Sequence, residues 1–278
     1  MSEFKITRSV RNSPLWKFLS KYKRGKSASG NSDKITLVSM GQLRARFELP
    51  ETDEDIIAQF WDLLYDHIFV KKLPISLAER YTETDNTCIK IDIDFKWELT
   101  PELAIEGEEK GSFRRYSKEM LRELSLIWFK VLNQFIQWKP DTRRETQAFI
   151  FEKDSPVDTG KYVLHENWKL VDENPDTKEK TFRNTETEDE TMELDDISNP
   201  IYKDGIHIMF PWITTSSVLE RRIRKEVLKL INHLFEPLGL RESVAKIVDE
   251  SVIGNHNWLL YMNRKSFCLL YTSPSPRD

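Results

Sequence analysis

The chain has few cysteines and no long apolar run. Its two cysteines, Cys88 and Cys268, are too few for a zinc cluster or a disulfide framework. No apolar run approaches the roughly 20 residues that a membrane-spanning helix needs, and residues 1–5 contain no apolar signal-peptide core. Apolar residues make up 39% of the chain and aromatic residues 11%, which excludes a wholly disordered protein. We therefore expect a soluble, intracellular protein.

Charge is distributed unevenly, although the net charge is only -4. Residues 1–48 carry eleven Lys and Arg against three acidic residues, whereas residues 186–196 are almost purely acidic. A basic segment that also contains Trp16, Phe18 and Tyr22 suits a nucleic-acid strand, because cations attract phosphates and bases stack on aromatic rings. A solvated tail whose aromatic side chains staple it to the core fits the same residues. Both interpretations stay open.

The order of polar and apolar segments predicts a basic N-terminal arm and linker over residues 1–48, followed by one domain over residues 49–267. Residues 21–34, rich in Gly, Ser and Lys, form the linker. Residues 154–202 are polar and indicate a long insertion whose acidic part is disordered or mobile. The alternation of strands and helices indicates an α/β or α+β fold.

Three helices are predicted from apolar spacing and capping residues. The first covers residues 53–70. Ser117 caps the second, which ends before Pro140. The third begins with a capping-box pattern at Ser217 and runs to about Phe235.

The segment around Asp92 and Asp94 is the most informative part of the sequence, because apolar and charged residues alternate there at the period of a strand. The apolar face comprises Ile89, Ile91, Ile93 and Phe95, and the charged face comprises Lys90, Asp92, Asp94 and Lys96. Two carboxylates about 7 Å apart on one face repel each other unless a cation lies between them. The pair therefore belongs either to a solvated sheet face or to a site for a divalent metal ion.

His207 lies on a later predicted strand of the same kind. Its apolar neighbours Ile206 and Ile208 point to the opposite face. The turn at Asp204 and Gly205, directly before this strand, allows the backbone to approach a ligand closely. A half-exposed histidine without a chemical role is the ordinary alternative.

The strand with Asp92 and Asp94, followed later in the chain by the segment with His207, resembles motifs of the archaeo-eukaryotic primase superfamily. The resemblance is strongest to the primase part of the primase-helicases of nucleocytoplasmic large DNA viruses. Asp92 and Asp94 match the family's strand with Asp-x-Asp. Residues 204–211 match its Asp-Gly-x-His segment, which an apolar strand and a proline follow. Asp249 matches the hydrophobic-Asp step of the third motif. The resemblance spans roughly residues 60–267 and keeps the order of the motifs.

The third motif departs from the family pattern in its last part. Residues 257–266 resemble an Asn-x-Trp…Tyr-Gly-Ser-x-Lys-Pro segment and keep Lys265. Met262, Asn263 and Ser266 replace the Gly-Ser and the Pro of the family's phosphate-contacting turn.

The resemblance implies an RNA-recognition-like antiparallel sheet that carries the three motifs, packed with an N-terminal α/β unit. It implies a DNA primase, which joins nucleotides by attack of a 3′-hydroxyl on an α-phosphate. Asp92, Asp94 and Asp249 would bind two divalent ions, Mg²⁺ or Mn²⁺. Glu250 is the rival to Asp249, since side-chain facing is not fixed at a junction between a helix and a strand.

The resemblance also implies nucleotide-binding residues and partners. His207 would contact the phosphates of the incoming nucleotide, and Lys265 with Arg264 would neutralise its triphosphate. The expected partners are template DNA, nucleoside triphosphates and a helicase region of the same native chain, with no membrane. We expect the protein at a viral replication site in the cytoplasm or nucleus of the host cell. A non-catalytic template-binding module of a replication helicase and a metal-dependent nuclease are the alternative functions.

Residues 268–278 resemble one reading frame of a sequencing adapter over their whole length. We therefore expect that the genuine sequence stops at Phe267, that the native protein continues beyond it into the helicase part, and that Cys88 is the only genuine cysteine.

Overall fold

The structure is a computed structural model, and it describes residues 8–24, 34–39, 45–81, 85–137, 147–194, 196–254 and 257–260. Its α-helices are α1 (Arg8–Arg11), α2 (Pro14–Lys21), α3 (Glu54–Tyr65), α4 (Pro101–Lys110), α5 (Lys118–Phe135), α6 (Ser217–Leu228), α7 (Asn232–Phe235) and α8 (Val244–Ile247). A π-helical turn (Asp66–Val70) continues α3, and 3-10 turns cover Glu236–Leu238 and Glu250–Val252. Within these ranges, no helix has the length and apolar character needed to cross a membrane.

The strands form antiparallel sheets, which confirms the predicted mixed fold of helices and antiparallel strands. They are β1 (Lys34–Ser39), β2 (Ala45–Pro50), β3 (Leu77–Arg80), β4 (Thr87–Glu98), β5 (Phe149–Glu152), β6 (Val157–Leu164), β7 (Trp168–Glu173), β8 (Lys180–Asn184), β9 (Glu190–Thr191), β10 (Ser198–Thr215), β11 (Val248–Asp249) and β12 (Asn257–Leu259).

An N-terminal sheet with strand order β12-β3-β1-β2 packs against α2 and α3. Its core contains Leu15, Trp16, Phe18, Leu19, Leu37, Phe47, Leu49, Phe60, Leu64 and Leu77, among other residues. β12 comes from the far end of the described chain and pairs with β3. The sheet therefore joins strands from the first third of the chain to the last described segment.

The structure differs from the predicted basic arm over residues 1–48. α2 begins after Ser13, whose side chain accepts a hydrogen bond of 3.4 Å from the backbone N–H of Trp16. Trp16 and Phe18 are buried, and the Trp16 ring lies 5.8 Å from that of Phe47. The reason is the helical spacing of the aromatic residues, which lets one face be buried while the lysines between stay exposed. Since Phe47 and Leu49 belong to one strand of this core, no structural boundary falls at residue 48.

A central sheet has strand order β11-β4-β10-β5, and β6 pairs with another part of the long strand β10. One face of this sheet is covered by α5 and α6, whose apolar residues share its core. That core includes Ile89, Ile91, Ile93, Phe95, Trp97, Leu124, Trp128, Ile206, Ile208, Phe210, Ile223 and Val227. The opposite face carries the charged residues of β4.

A third sheet, with strand order β7-β8-β9, occupies much of the predicted insertion. Here the structure differs from the expectation that the acidic part of residues 154–202 is disordered or mobile. Phe182 is buried on β8, and Arg183 donates hydrogen bonds to Glu190 across the β8–β9 pair. A buried aromatic side chain and a cross-strand ion pair stabilise strands even in a polar segment.

The predicted helices are found with changes at their ends. α3 begins after Asp53, and the π-helical turn carries it to residue 70 as predicted. Ser117 caps α5 by accepting a hydrogen bond from the Met120 N–H. The third helix is capped by Ser216 instead of Ser217, because Ser216 has the extended backbone of a capping residue. This helix also ends earlier than predicted, at Leu228.

Glu220 of α6 makes the stability of this fold dependent on pH. Its side chain is buried and accepts a hydrogen bond of 3.1 Å from the backbone N–H of Lys90 on β4. Burial raises the pKa of Glu220 from 4.5 to about 7, against the opposing effect of the hydrogen bond. Between these values the folded chain retains a proton that the unfolded chain releases, so the free energy of unfolding falls as pH rises.

Glu220→Gln keeps the oxygen that accepts the hydrogen bond and removes the titratable carboxyl group. We expect wild type to lose stability relative to this variant as pH rises from 4.5 to about 7, by at most about 1.4 kcal/mol per pH unit. Urea unfolding of both proteins across that range measures the difference. A difference that does not change with pH would contradict the prediction.

Candidate active site

Asp92 lies on β4 between two strands that each bring it a partner. His207 of β10 pairs with Asp92 on one side, and Asp249 of β11 pairs with it on the other. Residues paired across neighbouring strands point to the same face, so the three side chains form one row across the sheet. Asp94 shares this face, because Ile93 between the two aspartates is buried in the core. The predicted alternation along β4 is therefore confirmed.

His207 is held between a carboxylate and an aromatic ring. Its Nε2 atom lies 3.3 Å from Oδ1 of Asp92, and the two side chains are 27% and 19% exposed. The indole of Trp258, on β12, also contacts the imidazole, and the two ring centroids are 4.6 Å apart. These contacts fix the orientation of His207 while leaving part of it accessible to a ligand.

Asp94 faces a pair of lysines. Nζ of Lys203 donates a hydrogen bond of 2.8 Å to Oδ2 of Asp94. Gly205, which pairs with Asp94, leaves space on this face: a Cβ atom there would lie 3.2 Å from both Asp94 Oδ1 and Lys153 Nζ. Burial, with a further contribution from Lys203, lowers the pKa of Lys153, and the nearby aspartates oppose this shift. The glycine thus allows a carboxylate and an ammonium group to approach each other above the strand.

Arg114 supports this region from the loop between α4 and α5. Its Nε donates to Oδ2 of Asp204 (3.0 Å), and its Nη1 donates to Oε1 of Glu152 (2.9 Å). A third hydrogen bond goes from Nη2 to the backbone carbonyl of Lys153. Burial raises the pKa of Asp204, and Arg114 opposes the shift. The guanidinium group therefore joins β10 and the end of β5.

Asp204 was predicted in a turn, but the structure places it inside the continuous strand β10. The strand tolerates this fully buried carboxylate because Arg114 and the N–H of Gly205 satisfy it. The supporting residues Arg114, Lys153 and Lys203 were not among those predicted from the sequence. Lys203 could have been found, since it lies two and four residues before Gly205 and His207 and so shares their face.

The two rival acids at the third motif have different surroundings. Asp249 accepts hydrogen bonds from the N–H and the hydroxyl of Ser251, at 2.8 and 2.6 Å. Glu250 forms an ion pair of 2.8 Å with Arg224 of α6. Strand pairing brings Asp249, and not Glu250, next to Asp92.

Three carboxylates on one sheet face are hard oxygen ligands of the type that Mg²⁺ and Mn²⁺ prefer. In the part of the chain that the structure describes, however, no group of three or more His, Cys, Asp or Glu side chains is arranged to hold a metal ion. Asp94 binds Lys203 and Asp249 binds Ser251 instead. The donor types fit a divalent ion, and binding it would require these two carboxylates to exchange their partners. Arg264 and Lys265 lie outside the described residues.

Comparison with known families agrees with the motif order. A family model described as the C962R protein N-terminal AEP domain, where AEP stands for archaeo-eukaryotic primase, matches residues 36–180 and 169–273. The chain belongs to this archaeo-eukaryotic primase family. The resemblance drawn from the sequence is thereby confirmed. The second matched segment ends inside residues 268–278, whose origin in an adapter stays a prediction.

A protein of Acanthamoeba polyphaga mimivirus, named "Putative helicase", is 23% identical to this primase-family chain over 254 residues. The alignment covers 91% of the chain and 20% of that relative. The chain thus spans about a fifth of the length of the viral protein it matches.

Proposed function

We propose that this chain is the primase part of a viral primase-helicase and synthesises primers on template DNA. The observation that carries the proposal is the row formed by Asp249, Asp92 and His207 on neighbouring strands. These residues come from three motifs far apart in the sequence, and membership of the archaeo-eukaryotic primase family supports the type of reaction.

In this reaction a 3′-hydroxyl attacks the α-phosphate of a nucleoside triphosphate, and pyrophosphate leaves. Asp92, Asp94 and Asp249 would hold Mg²⁺ or Mn²⁺, which supplies stabilisation of the charge on the attacking and leaving oxygens. His207, accessible beside Asp92, would donate a hydrogen bond to a phosphate oxygen of the incoming nucleotide. Lys203 would face the same phosphates once it separates from Asp94.

The proposed partners follow from the reaction and from the longer relative. Template DNA and nucleoside triphosphates are the substrates, with Arg264 and Lys265 as further contacts to the triphosphate. The name of the much longer mimivirus relative supports a helicase region in the native chain. We place the activity at a viral replication site in the host cell.

Replacing both aspartates of β4 tests the proposal. With the full-length protein, single-stranded template, nucleoside triphosphates and Mg²⁺ or Mn²⁺, we expect Asp92→Ala plus Asp94→Ala to reduce primer synthesis by about 10³-fold or more. The reason is that both substitutions would remove ligands of the metal ion that stabilises charge at the reacting phosphate. Asp172→Ala plus Asp176→Ala, at two exposed acids near β7, is the matched control and should retain activity. Equal amounts of primer from wild type and the β4 double variant would contradict the proposal that the chain is an enzyme.

A non-catalytic module that binds template DNA for a helicase is the second candidate. It is favoured by the pairing of Asp94 with Lys203 and by the arrangement of the described acids, which does not form a metal cluster. This candidate predicts template binding without primer synthesis by wild type under any choice of nucleotide or divalent ion. Cleaved template in the absence of nucleotides would instead indicate a nuclease.

A further inference from the structure

Lys153 brings a second lysine to the face that carries Asp94. It directly follows Glu152 of β5, which pairs with Ile206 of β10. Its Nζ atom would lie 3.2 Å from a Cβ atom on Gly205, the residue that pairs with Asp94. The side chain of Lys153 therefore reaches over the glycine on the face that carries Asp94.

The two lysines on this face differ in their partners. Lys203 forms an ion pair of 2.8 Å with Asp94. Among the described residues, the ammonium group of Lys153 makes no hydrogen bond and no ion pair within 4.0 Å. Its charge is offset only at longer range, by Asp94, Asp204 and Asp92. A cation in this position can accept an anionic ligand without first losing a partner.

The position of Lys153 is fixed by its backbone. Arg114 donates a hydrogen bond to the Lys153 carbonyl and also contacts Glu152 and the buried Asp204. This contact holds the end of β5 against β10 at the level of Gly205. The ammonium group is thus presented from an ordered strand end, which lowers the entropy cost of binding a ligand.

We infer that Lys153 is a further nucleotide-binding residue, whose ammonium group contacts the phosphate tail of the incoming nucleoside triphosphate. The inference rests on the proposed primase function. Lys153 lies on the β5 side of the acids, while Asp249 lies on the β11 side. A triphosphate that extends from the Asp92 row toward β5 would place its terminal phosphates between Lys153 and Lys203. The alternative is that Lys153 serves only as a counter-ion for the nearby aspartates and stabilises the fold.

Equilibrium binding separates these roles. Isothermal titration calorimetry of the full-length protein with Mg²⁺ is carried out with a ribonucleoside triphosphate, a deoxyribonucleoside triphosphate and the matching monophosphates. Lys153→Met removes the charge and keeps the aliphatic stem. Lys169→Met, at an exposed lysine on β7, is the control. Urea unfolding of each variant records its stability, and Lys153→Arg tests whether a cation restores binding.

We expect Lys153→Met to weaken triphosphate binding by about tenfold, the size of one lost charge-assisted contact. Monophosphate binding should stay unchanged, Lys153→Arg should recover at least part of the loss, and Lys169→Met should behave as wild type. Wild-type affinity for the triphosphate in Lys153→Met, with or without lower stability, would overturn the inference and leave the primase proposal intact. An equal loss for monophosphate and triphosphate would also overturn it. If wild type bound neither triphosphate, both the inference and the primase proposal would fall.

Discussion

Asp249→Asn is expected to lower primer synthesis by about 10³-fold, because it would remove one anionic ligand of the metal ion proposed to stabilise the transition state. Asp249 pairs with Asp92 across β11 and β4, so its carboxylate lies on the same face as those of Asp92 and Asp94. Asparagine keeps an oxygen that can accept the hydrogen bond from the Ser251 N–H. The variant therefore retains the 3-10 turn while losing the negative charge.

Glu250→Gln provides a control one residue away. Glu250 is paired with Arg224 of α6, and its side chain is 54% exposed. An ion pair this exposed contributes about 1 kcal/mol or less, so primer synthesis should remain close to wild type. Primer synthesis by both variants at saturating nucleotide, with circular dichroism as a check on folding, measures the contrast. If Glu250→Gln lost activity and Asp249→Asn retained it, the pairing of β11 with β4 would not describe the active protein.

The strand β4 and the faces of its residues could be predicted from the sequence, because alternation at period two directly reports which side chains meet the core. The cap at Ser117 could also be predicted, since a capping side chain accepts a hydrogen bond from the N–H three residues ahead. The alternation of apolar and charged residues does not indicate the register between strands. That Asp92 lies between His207 and Asp249 depends on the pairing of distant segments, and only the order of the family motifs indicated it beforehand.

The supporting residues were harder to find for the same reason. Arg114 and Asp204 are 90 residues apart and follow no shared period. The acidic composition of residues 186–196 suggested disorder, but composition does not report the ion pair between Arg183 and Glu190 that crosses two strands. The N-terminal aromatic residues could be read as binding DNA or as packing on the core. The structure places Trp16 and Phe18 in the core, and they are consequently not available for base stacking.

Arg114→Met is expected to lower the free energy of unfolding by about 3 kcal/mol or more, because it leaves the carboxylate of Asp204 buried without its partner. Asp204 is fully buried, and the same guanidinium group also satisfies Glu152 and the carbonyl of Lys153. Methionine retains much of the aliphatic volume, so the loss reports the charge and its hydrogen bonds. Urea unfolding followed by circular dichroism measures it.

Arg183→Met is the matched control, since Arg183 pairs with Glu190 at the surface of the third sheet, where an ion pair contributes about 1 kcal/mol or less. Asp204→Asn combined with Arg114→Met should recover part of the stability lost in Arg114→Met, because no unpaired charge then stays buried. Equal, small losses for Arg114→Met and Arg183→Met would mean that Asp204 is protonated or hydrated in the folded protein. In that case the support of β5 by Arg114, and with it the fixed position of Lys153, would depend on the ion pair with Glu152 and on the hydrogen bond to the Lys153 carbonyl.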